Sequence, residues 1–487
     1  MKTLDKGPRQ AGVGGTPGNA AGAPVASRLD PRPTTTAAQS PAFNLLDNGL
    51  FRRVMESRLY PGIPQVVTAL VFTAALYQLV AGPSRAHDNF GMALTWVLWW
   101  PLIPLFFLTM GRFWCGICPF ATLSDLVQKV VGHNRPVPRF LKKYGIWIID
   151  ASFIAITWAD HVFGIVESPR GSGVLLLMIV LGVVAAGAFF ERRTWCRYLC
   201  FLGGLSGNYS RAGALELRAT PSKCAKCTAH ACYRGNEKAP GCPMFEFPRT
   251  MDTNARCNLC GYCVKTCPNN SIRINLRTPT RELWFIRRPK FEEAFLACVI
   301  MGVVFVQNIT MLEIWPPILA WLERTLGTSS YAVTFTVTFA VMMALPILAL
   351  FAASFFAGRT GAQGVVATFT VFGYALIPLD LAGHLAHNLF HLLAEGKMVL
   401  YTALSLVGIQ VNGSAALLDS ATIQVLQYLL VLLGVAGSAY TAYRIAKGSS
   451  TRAEASPRGA WLPIATLIVV LGLANLLLFY LPMQMRM

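Results

Sequence analysis

The sequence predicts an all-α polytopic membrane protein of about nine transmembrane helices that carries a small, cysteine-rich α+β insert. The 487-residue chain is 54% hydrophobic and only 13% charged, whereas a soluble protein has a charged fraction of about 25%. Apolar runs of about 20 residues, long enough to cross roughly 30 Å of hydrocarbon, recur along the chain. Eight of the thirteen cysteines fall between residues 224 and 267, in a stretch without such runs.

Nine apolar runs are long enough to be predicted as membrane spans. They lie near 63–82, 92–110, 145–166, 173–190, 294–314, 331–356, 365–393, 423–443 and 461–483. A further run near 398–411 is too short to span, so it is expected at the membrane surface or as a re-entrant segment. Residues 1–45 are rich in Gly, Pro, Ala and Thr without an apolar core, which predicts a disordered tail and no cleavable signal peptide.

The distribution of Lys and Arg predicts the orientation in the membrane. The connection 111–143 is basic, and the segment 191–290 has 18 Lys and Arg against 6 Asp and Glu. The alternate connections 83–91, 165–172 and 316–329 carry one Arg each. We therefore expect a bacterial-type cytoplasmic (inner) membrane protein with its N-terminus and the 191–290 segment in the cytoplasm. Positive-inside topology accounts for most of the basic charge; membrane lipid is a predicted partner and nucleic acid is not.

The segment "CNLCGYCVKTCP" has the cysteine spacing of a bacterial ferredoxin that binds a cubane [4Fe–4S] cluster. A stretched version of the same run lies upstream and also ends in Cys-Pro. In two-cluster ferredoxins the fourth cysteine of each run binds the other cluster. The predicted ligands are therefore Cys224, Cys227, Cys232 and Cys267 for cluster 1, and Cys257, Cys260, Cys263 and Cys242 for cluster 2. Residues 220–276 are thus predicted to be a cytoplasmic 2[4Fe–4S] ferredoxin domain; paired structural zinc sites are the less favoured alternative.

Two further cysteine pairs follow apolar runs at equivalent places. In "RFWCGICPF" and "RTWCRYLCF" the Arg, the Trp and both cysteines match, which predicts that residues 60–205 are two duplicated transmembrane hairpins. Duplication would bring Cys115, Cys118, Cys196 and Cys200 to the same membrane face. These cysteines are candidates for a further metal site or for a thiol relay. Buried structural cysteines are the alternative, and that is the interpretation we favour for the isolated Cys298.

Two ferredoxin runs preceded by two membrane-edge cysteine pairs resemble the membrane polyferredoxin family. The resemblance covers about residues 60–290. It implies an iron–sulfur protein similar to the quinol-oxidising subunit of periplasmic nitrate reductase systems, to the membrane part of the nitrous-oxide reductase regulator, or to an iron–sulfur accessory protein of haem–copper oxidase assembly. Family members usually have Cys-Pro at both pairs; here Pro119 follows Cys118, but Phe201 follows Cys200.

The predicted C-terminal transmembrane domain, residues 291–483, has a polar face in its third span. Asp380, His384, His387 and His391 recur at helical spacing just after Pro378, so they share one side of a helix. Ionisable residues within a span usually have a function. This histidine face is a candidate site for haem, for copper or another metal, or for a quinol and its protons; an interhelical hydrogen-bonding stripe is the alternative. Asp160 and His161 could complete such a site.

These features predict a membrane-bound iron–sulfur protein that passes electrons between the quinone pool, or another membrane donor, and a protein redox partner. The chain has no dinucleotide or P-loop motif, so an electron-transfer subunit is favoured over a complete enzyme. The alternative is a copper reductase, a metalloenzyme assembly factor or a redox regulator. The closing "PMQMRM" supports copper only weakly, because methionine is ordinary at the end of a span.

Overall fold

The computed structural model describes residues 43–360, 364–411, 413–449 and 457–482. The predicted tail falls almost entirely on residues 1–42, outside the described residues; Asn44 already pairs with Asn275. Nine helices of the described chain are long and apolar enough to cross a membrane, which confirms the predicted number and fold class. Spans 1 to 9 are Gly62–Ala81, Phe90–Met110, Arg139–Phe163, Pro169–Phe189, Phe291–Ile309, Tyr331–Arg359, Val365–Glu395, Ser420–Gly448 and Gly459–Tyr480.

The helices extend beyond the apolar runs that predicted them. Span 3 begins at Arg139, six residues before the predicted start, and includes Lys142 and Lys143. Hydropathy locates the hydrocarbon-facing part of a helix, whereas long basic side chains let the helix continue into the polar interface. The run near 398–411 forms the short helix Lys397–Ser405, which packs against residues 86–99 and does not span.

Each of the first two hairpins ends in the same pair of short helices. A five-residue helix holds the first cysteine of the pair, at Phe113–Ile117 and at Thr194–Tyr198. A longer helix follows the second cysteine at once, and we name these half-helix A (Pro119–Val131) and half-helix B (Phe201–Ala212). The two hairpins are therefore built alike.

Both half-helices begin inside the helix bundle. The ring of Phe120 lies 4.8 Å from that of Phe72 near the middle of span 1. The ring of Phe201 stacks 5.8 Å from that of Phe153 near the middle of span 3. The cysteine pairs therefore lie deeper than the membrane edge where the sequence placed them. Re-entrant backbone is tolerated at this depth because surrounding protein supplies its hydrogen bonds.

The cysteine-rich insert is a small α+β unit. Strand β1 (Leu215–Ala219) pairs antiparallel with β4 (Ile272–Leu276), with Leu217 opposite Ile274. The hairpin β2 (Gly235–Asn236) and β3 (Ala239–Pro240) lies between them, with short helices at Pro221–Ala225, Ala231–Arg234 and Tyr262–Thr266. Leu217 and Ile274 are buried with Leu46 and Met55 from the segment before span 1. That segment, which includes the helix Gly49–Glu56, completes the core of the insert.

Spans 5 and 7 are the most enclosed helices of the described bundle. Span 7 is broken: Val365–Phe372 is followed by a 3-10 turn, Gly373–Leu376, and then by Ile377–Glu395. Proline has no N–H to donate, so the break lies just before Pro378. Ser438 of span 8 accepts the backbone N–H of Leu379 at 2.9 Å. The break thereby fixes the direction of the histidine face without leaving that N–H unpaired.

Candidate functional site

The four cysteines assigned to cluster 1 line one pocket that opens to solvent. Its lining includes all four thiols: Cys224, Cys227, Cys232 and Cys267. Burial and the thiols around it raise the pKa of Cys232 to about 11. The N–H of Ser271 donates to the sulfur of Cys267 at 3.3 Å. Thiols gathered around one cavity, with backbone donors aimed at sulfur, suit an iron–sulfur cluster.

The cysteines assigned to cluster 2 form a second group beside the first. Burial raises the pKa of Cys257 and of Cys260 to about 12. The nearby thiol of Cys242 contributes to both increases. The pKa of Cys263 is raised for the same reason, and its neighbours include Cys232 of the first group. The structure therefore places each fourth cysteine, Cys267 and Cys242, with the three cysteines of the other run. It also places the two groups next to each other.

The two membrane-edge pairs come together as a third group. Burial raises the pKa of Cys118, and Cys115, Cys196 and Cys200 raise it further. Cys118 and Cys200 are the N-caps of half-helices A and B, and the backbone N–H groups of Ala121 and Gly203 in the first turns favour the thiolate forms of these two cysteines. Both helix starts therefore direct partial positive charge at the same four thiols.

Two buried arginines connect the repeats crosswise. Arg193 of the second repeat donates to the carbonyl of Cys115 in the first at 3.0 Å and forms an ion pair with Asp125 at 2.6 Å. Burial raises the pKa of Cys200 in the second repeat to about 12. The positive charge of Arg112 in the first repeat partly offsets this rise. The sequence shows that these two arginines occupy equivalent positions in the repeats. It does not show that each reaches the other repeat, because their partners lie far away in the chain.

The third group touches the cluster 2 loop directly. Arg112 donates to the carbonyl of Ala255, two residues before Cys257. A Cβ on Gly116, which lies between Cys115 and Cys118, would stand 2.6 Å from the carbonyl oxygen of Asn258. Only glycine allows this approach. The three cysteine groups therefore follow one another, from the membrane-edge group through cluster 2 to cluster 1.

Span 7 buries much of the histidine face against neighbouring helices. Asp380 is fully buried, while His384 and His387 are almost so. The Nδ1 of His384 lies 3.2 Å from the hydroxyl of Tyr209 on half-helix B, and the Nδ1 of His387 lies 2.9 Å from the Oδ1 of Asn308 on span 5. His391 is partly exposed, and its Nδ1 is 3.6 Å from a carboxylate oxygen of Glu395.

An aromatic contact joins the histidine face to the membrane-edge group. The indole of Trp100 lies 6.0 Å from the ring of His384 and 6.4 Å from that of Phe201, which follows Cys200. Trp100 comes directly after a π-helical turn, Ala93–Trp99, which is a feature common at functional sites. Sequence reasoning missed Trp100 and Tyr209, because neither stands out among the many aromatic residues of the spans.

Asp160 and His161 are placed together at the end of span 3. Their side chains lie 3.8 Å apart, and the ring of His161 stacks on Phe335 of span 6. Cys298 is fully buried in span 5. Across the part of the chain that the structure describes, no three His, Cys, Asp or Glu side chains converge closely enough to hold a single metal ion.

Two segments of the chain, residues 92–138 and 172–218, match one protein family described as a 4Fe-4S binding domain. The first segment contains Cys115, Cys118 and half-helix A, and the second contains Cys196, Cys200 and half-helix B. The same family thus matches both repeats, at the cysteine pairs that the structure brings together.

Two proteins resemble part of the chain. One is the Escherichia coli (strain K12) protein named "Putative electron transport protein YccM", 26% identical over 199 residues, which cover 35% of this chain and 53% of the relative. The other is "Uncharacterized protein MJ0749" of Methanocaldococcus jannaschii, 24% identical over 173 residues, or 34% of this chain and 66% of the relative. The chain therefore spans between about half and two thirds of these relatives. No solved structure matches the chain. Together these comparisons support an iron–sulfur protein of the electron-transfer type.

Proposed function

We propose that this chain is a membrane-bound electron-transfer subunit that passes electrons between a membrane donor, such as quinol, and a protein redox partner. The observation that carries the proposal is the continuous series of three cysteine groups. It begins within the helix bundle and ends at the exposed pocket of cluster 1. Iron–sulfur clusters held by these thiolates would supply the one-electron chemistry.

The residues fit two clusters in the insert and a further iron–sulfur site at the membrane-edge group. Thiolate donors are the ligands that such clusters require. The match of both repeats to a 4Fe-4S binding family supports a cluster over a thiol relay at Cys115, Cys118, Cys196 and Cys200. Arg112 and Arg193 would offset the negative charge of a cluster bound there.

Cluster 1 is the proposed point of contact with the redox partner. Arg249 lines its pocket, and the segment 223–238, which supplies three of its cysteines, carries four more exposed basic side chains: Lys223, Lys226, Arg234 and Lys238. We name these five residues the basic rim. A positively charged surface favours encounters with an acidic protein. Because basic connections mark the cytoplasmic side of a membrane protein, we propose that this partner is cytoplasmic.

The donor end is proposed at Asp380 and His384. Both are enclosed in the bundle, and Trp100 and Phe201 connect His384 to the membrane-edge group. A quinol that transfers two electrons there also releases two protons, which a carboxylate and an imidazole can accept. The methionines that suggested copper handling, Met483, Met485 and Met487, lie outside the described residues.

The test is metal analysis and EPR of anaerobically purified protein. Two cubanes predict about eight irons per chain, and a third cubane raises the number to about twelve. Replacing Cys118 and Cys200 together by Ser should remove the additional iron and leave the two interacting clusters of the insert. Cys298→Ser, which changes a thiol outside all three groups, is the matched control. Zinc in place of iron would refute the proposal, and unchanged iron in the double variant would refute the third site.

A further inference from the structure

The enclosed part of span 7 contains a carboxylate and an imidazole with free hydrogen-bonding capacity. Both carboxylate oxygens of Asp380 and the Nε2 of His384 are buried without a hydrogen-bond partner among the described residues. Buried polar groups are nearly always paired, because leaving one unpaired costs free energy. Such exceptions are usual where a group exchanges protons or meets a ligand.

A row of titratable side chains leads from this point to the end of span 7. The rings of His387 and His391 are 5.3 Å apart, and His391 lies 3.6 Å from Glu395. The fifteen helical steps from Asp380 to Glu395 correspond to about 22 Å of helix. The row runs away from the insert, towards the opposite face of the membrane. We name Asp380, His384, His387, His391 and Glu395 the span 7 row.

The helices around the span 7 row present mainly uncharged groups to it. Asn308 of span 5 contacts His387, Gln427 of span 8 donates to the carbonyl of Ala386, and Asn475 of span 9 lies beside Gly383. The titratable neighbours that the described contacts show are Tyr209, whose hydroxyl is near His384, and Cys298, whose thiol is close enough to interact with Asp380.

Electrons and protons have separate ways out of this region. Trp100 and Phe201 lead from His384 to Cys200 and so towards the insert. The span 7 row leads from the same histidine in the other direction. Aromatic side chains such as Phe201 carry no exchangeable proton, whereas imidazoles and carboxylates do.

We propose that the span 7 row conducts protons between Asp380 and the membrane face opposite the insert. For its proton source the inference rests on the proposed function. A quinol that binds beside Asp380 and His384 is oxidised to quinone, its two electrons pass to the iron–sulfur path, and its two protons leave along the row. The C-terminal half of the chain would thereby release protons on the opposite side from the electrons.

The proposal is tested by carbodiimide modification of Asp380 in sealed vesicles of known orientation. A hydrophobic carbodiimide reacts with protonated buried carboxyl groups, and peptide mass analysis separates Asp380 from Glu395. If the row conducts protons, the rate of modification follows the pH of the compartment opposite the insert. It falls about tenfold for each unit by which that pH exceeds the pKa of the carboxyl. Modification that follows the pH on the insert side, or neither pH, would overturn the proposal.

His391→Gln interrupts the span 7 row while keeping a side chain of similar size, and should abolish the response of Asp380 to the opposite compartment. The matched control is His87→Gln, which removes a histidine from an exposed His–Asp pair on a connection at that same face. An equal response in the His391 variant and the wild type would show that the row does not conduct.

Reduction of the clusters by a short-chain quinol separates the two proposals. Wild-type protein that quinol does not reduce would refute the proposed donor, yet the carbodiimide result would still decide whether the row conducts protons. His391→Gln should leave the iron content unchanged, which excludes general misfolding as the cause of a lost response.

Discussion

Arg193 shows how one buried side chain holds the two repeats together. Its guanidinium is almost fully buried, and it bonds to Asp125 and to the carbonyl of Cys115. A planar guanidinium can hold the carboxylate with two N–H groups while a third donates to the carbonyl, a fixed geometry that an ammonium group does not provide. The position of the Cys115 loop therefore depends on a residue about eighty positions later in the chain.

We expect Arg193→Ala to destabilise the protein by about 3 kcal/mol, because it leaves Asp125 and the Cys115 carbonyl without their partner. This is the low end of the usual range for a broken buried pair, since Asp125 is partly exposed. The measurements are the melting temperature in detergent and the iron retained after purification. Arg197→Ala, which breaks a longer ion pair between Glu191 and a more exposed arginine, is the control and should destabilise the protein less. Equal losses in the two variants would contradict this role.

At the scale of single elements, the contact between the Cys115–Cys118 loop and the cluster 2 loop depends on Gly116, whereas Gly207 approaches the same loop less closely. An added Cβ would lie 2.6 Å from a carbonyl oxygen at Gly116, but 3.4 Å from the nearest atom, the carbonyl oxygen of Ala255, at Gly207. Gly207 lies on half-helix B at the place that Asp125 takes on half-helix A. Asp125 is the partner of Arg193. The corresponding partner of Arg112 is the carbonyl of Ala255, which lies beside Gly207.

Gly116→Ala should force the two loops apart, at a cost of about 1–3 kcal/mol typical of overpacking. Electron transfer from a membrane donor to the insert clusters should slow, as seen by stopped-flow absorbance. Gly207→Ala, with ordinary contact distance, should behave like the wild type. If the Gly116→Ala variant transfers electrons to the insert clusters as fast as the wild type, electrons do not cross at this contact.

Several elements were predictable from local pattern. The nine spans follow from apolar length alone. The cross-run grouping of Cys242 and Cys267 is expected from ferredoxin spacing; in the structure Cys267 lies near Cys232 and Cys242 near Cys257, while the cluster assignment stays a prediction. The depth of half-helices A and B was not predictable, because their apolar residues are too few to register as spans. The crossed arginines and the Tyr209 contact depend on tertiary packing, for which local sequence gives no signal.

At the scale of the whole molecule, the charge of the insert bears on how it meets a partner. Lys223→Glu combined with Lys226→Glu would reverse part of the basic rim around cluster 1. Electron exchange with a small acidic ferredoxin should slow by about tenfold or more at low salt, because steering is lost. Added salt should reduce the difference by screening the exposed charges.

The control for this prediction is Lys142→Glu combined with Lys143→Glu. These residues lie at the start of span 3, on the same side of the membrane as the insert but outside the basic rim. They test for a general effect of membrane-surface charge. A similar loss in both double variants would assign the effect to net charge and not to docking at cluster 1.

The paired half-helices have a consequence for the energy of an electron at the membrane-edge group. Two helix starts and two buried guanidinium groups surround the same four thiols. Each favours the more negative, reduced form of a centre bound there. Such a centre would have a higher reduction potential than an equally buried centre without these groups, and so would accept electrons from a weaker reductant. Symmetry of the fold would then set a thermodynamic threshold for which donors the protein can use.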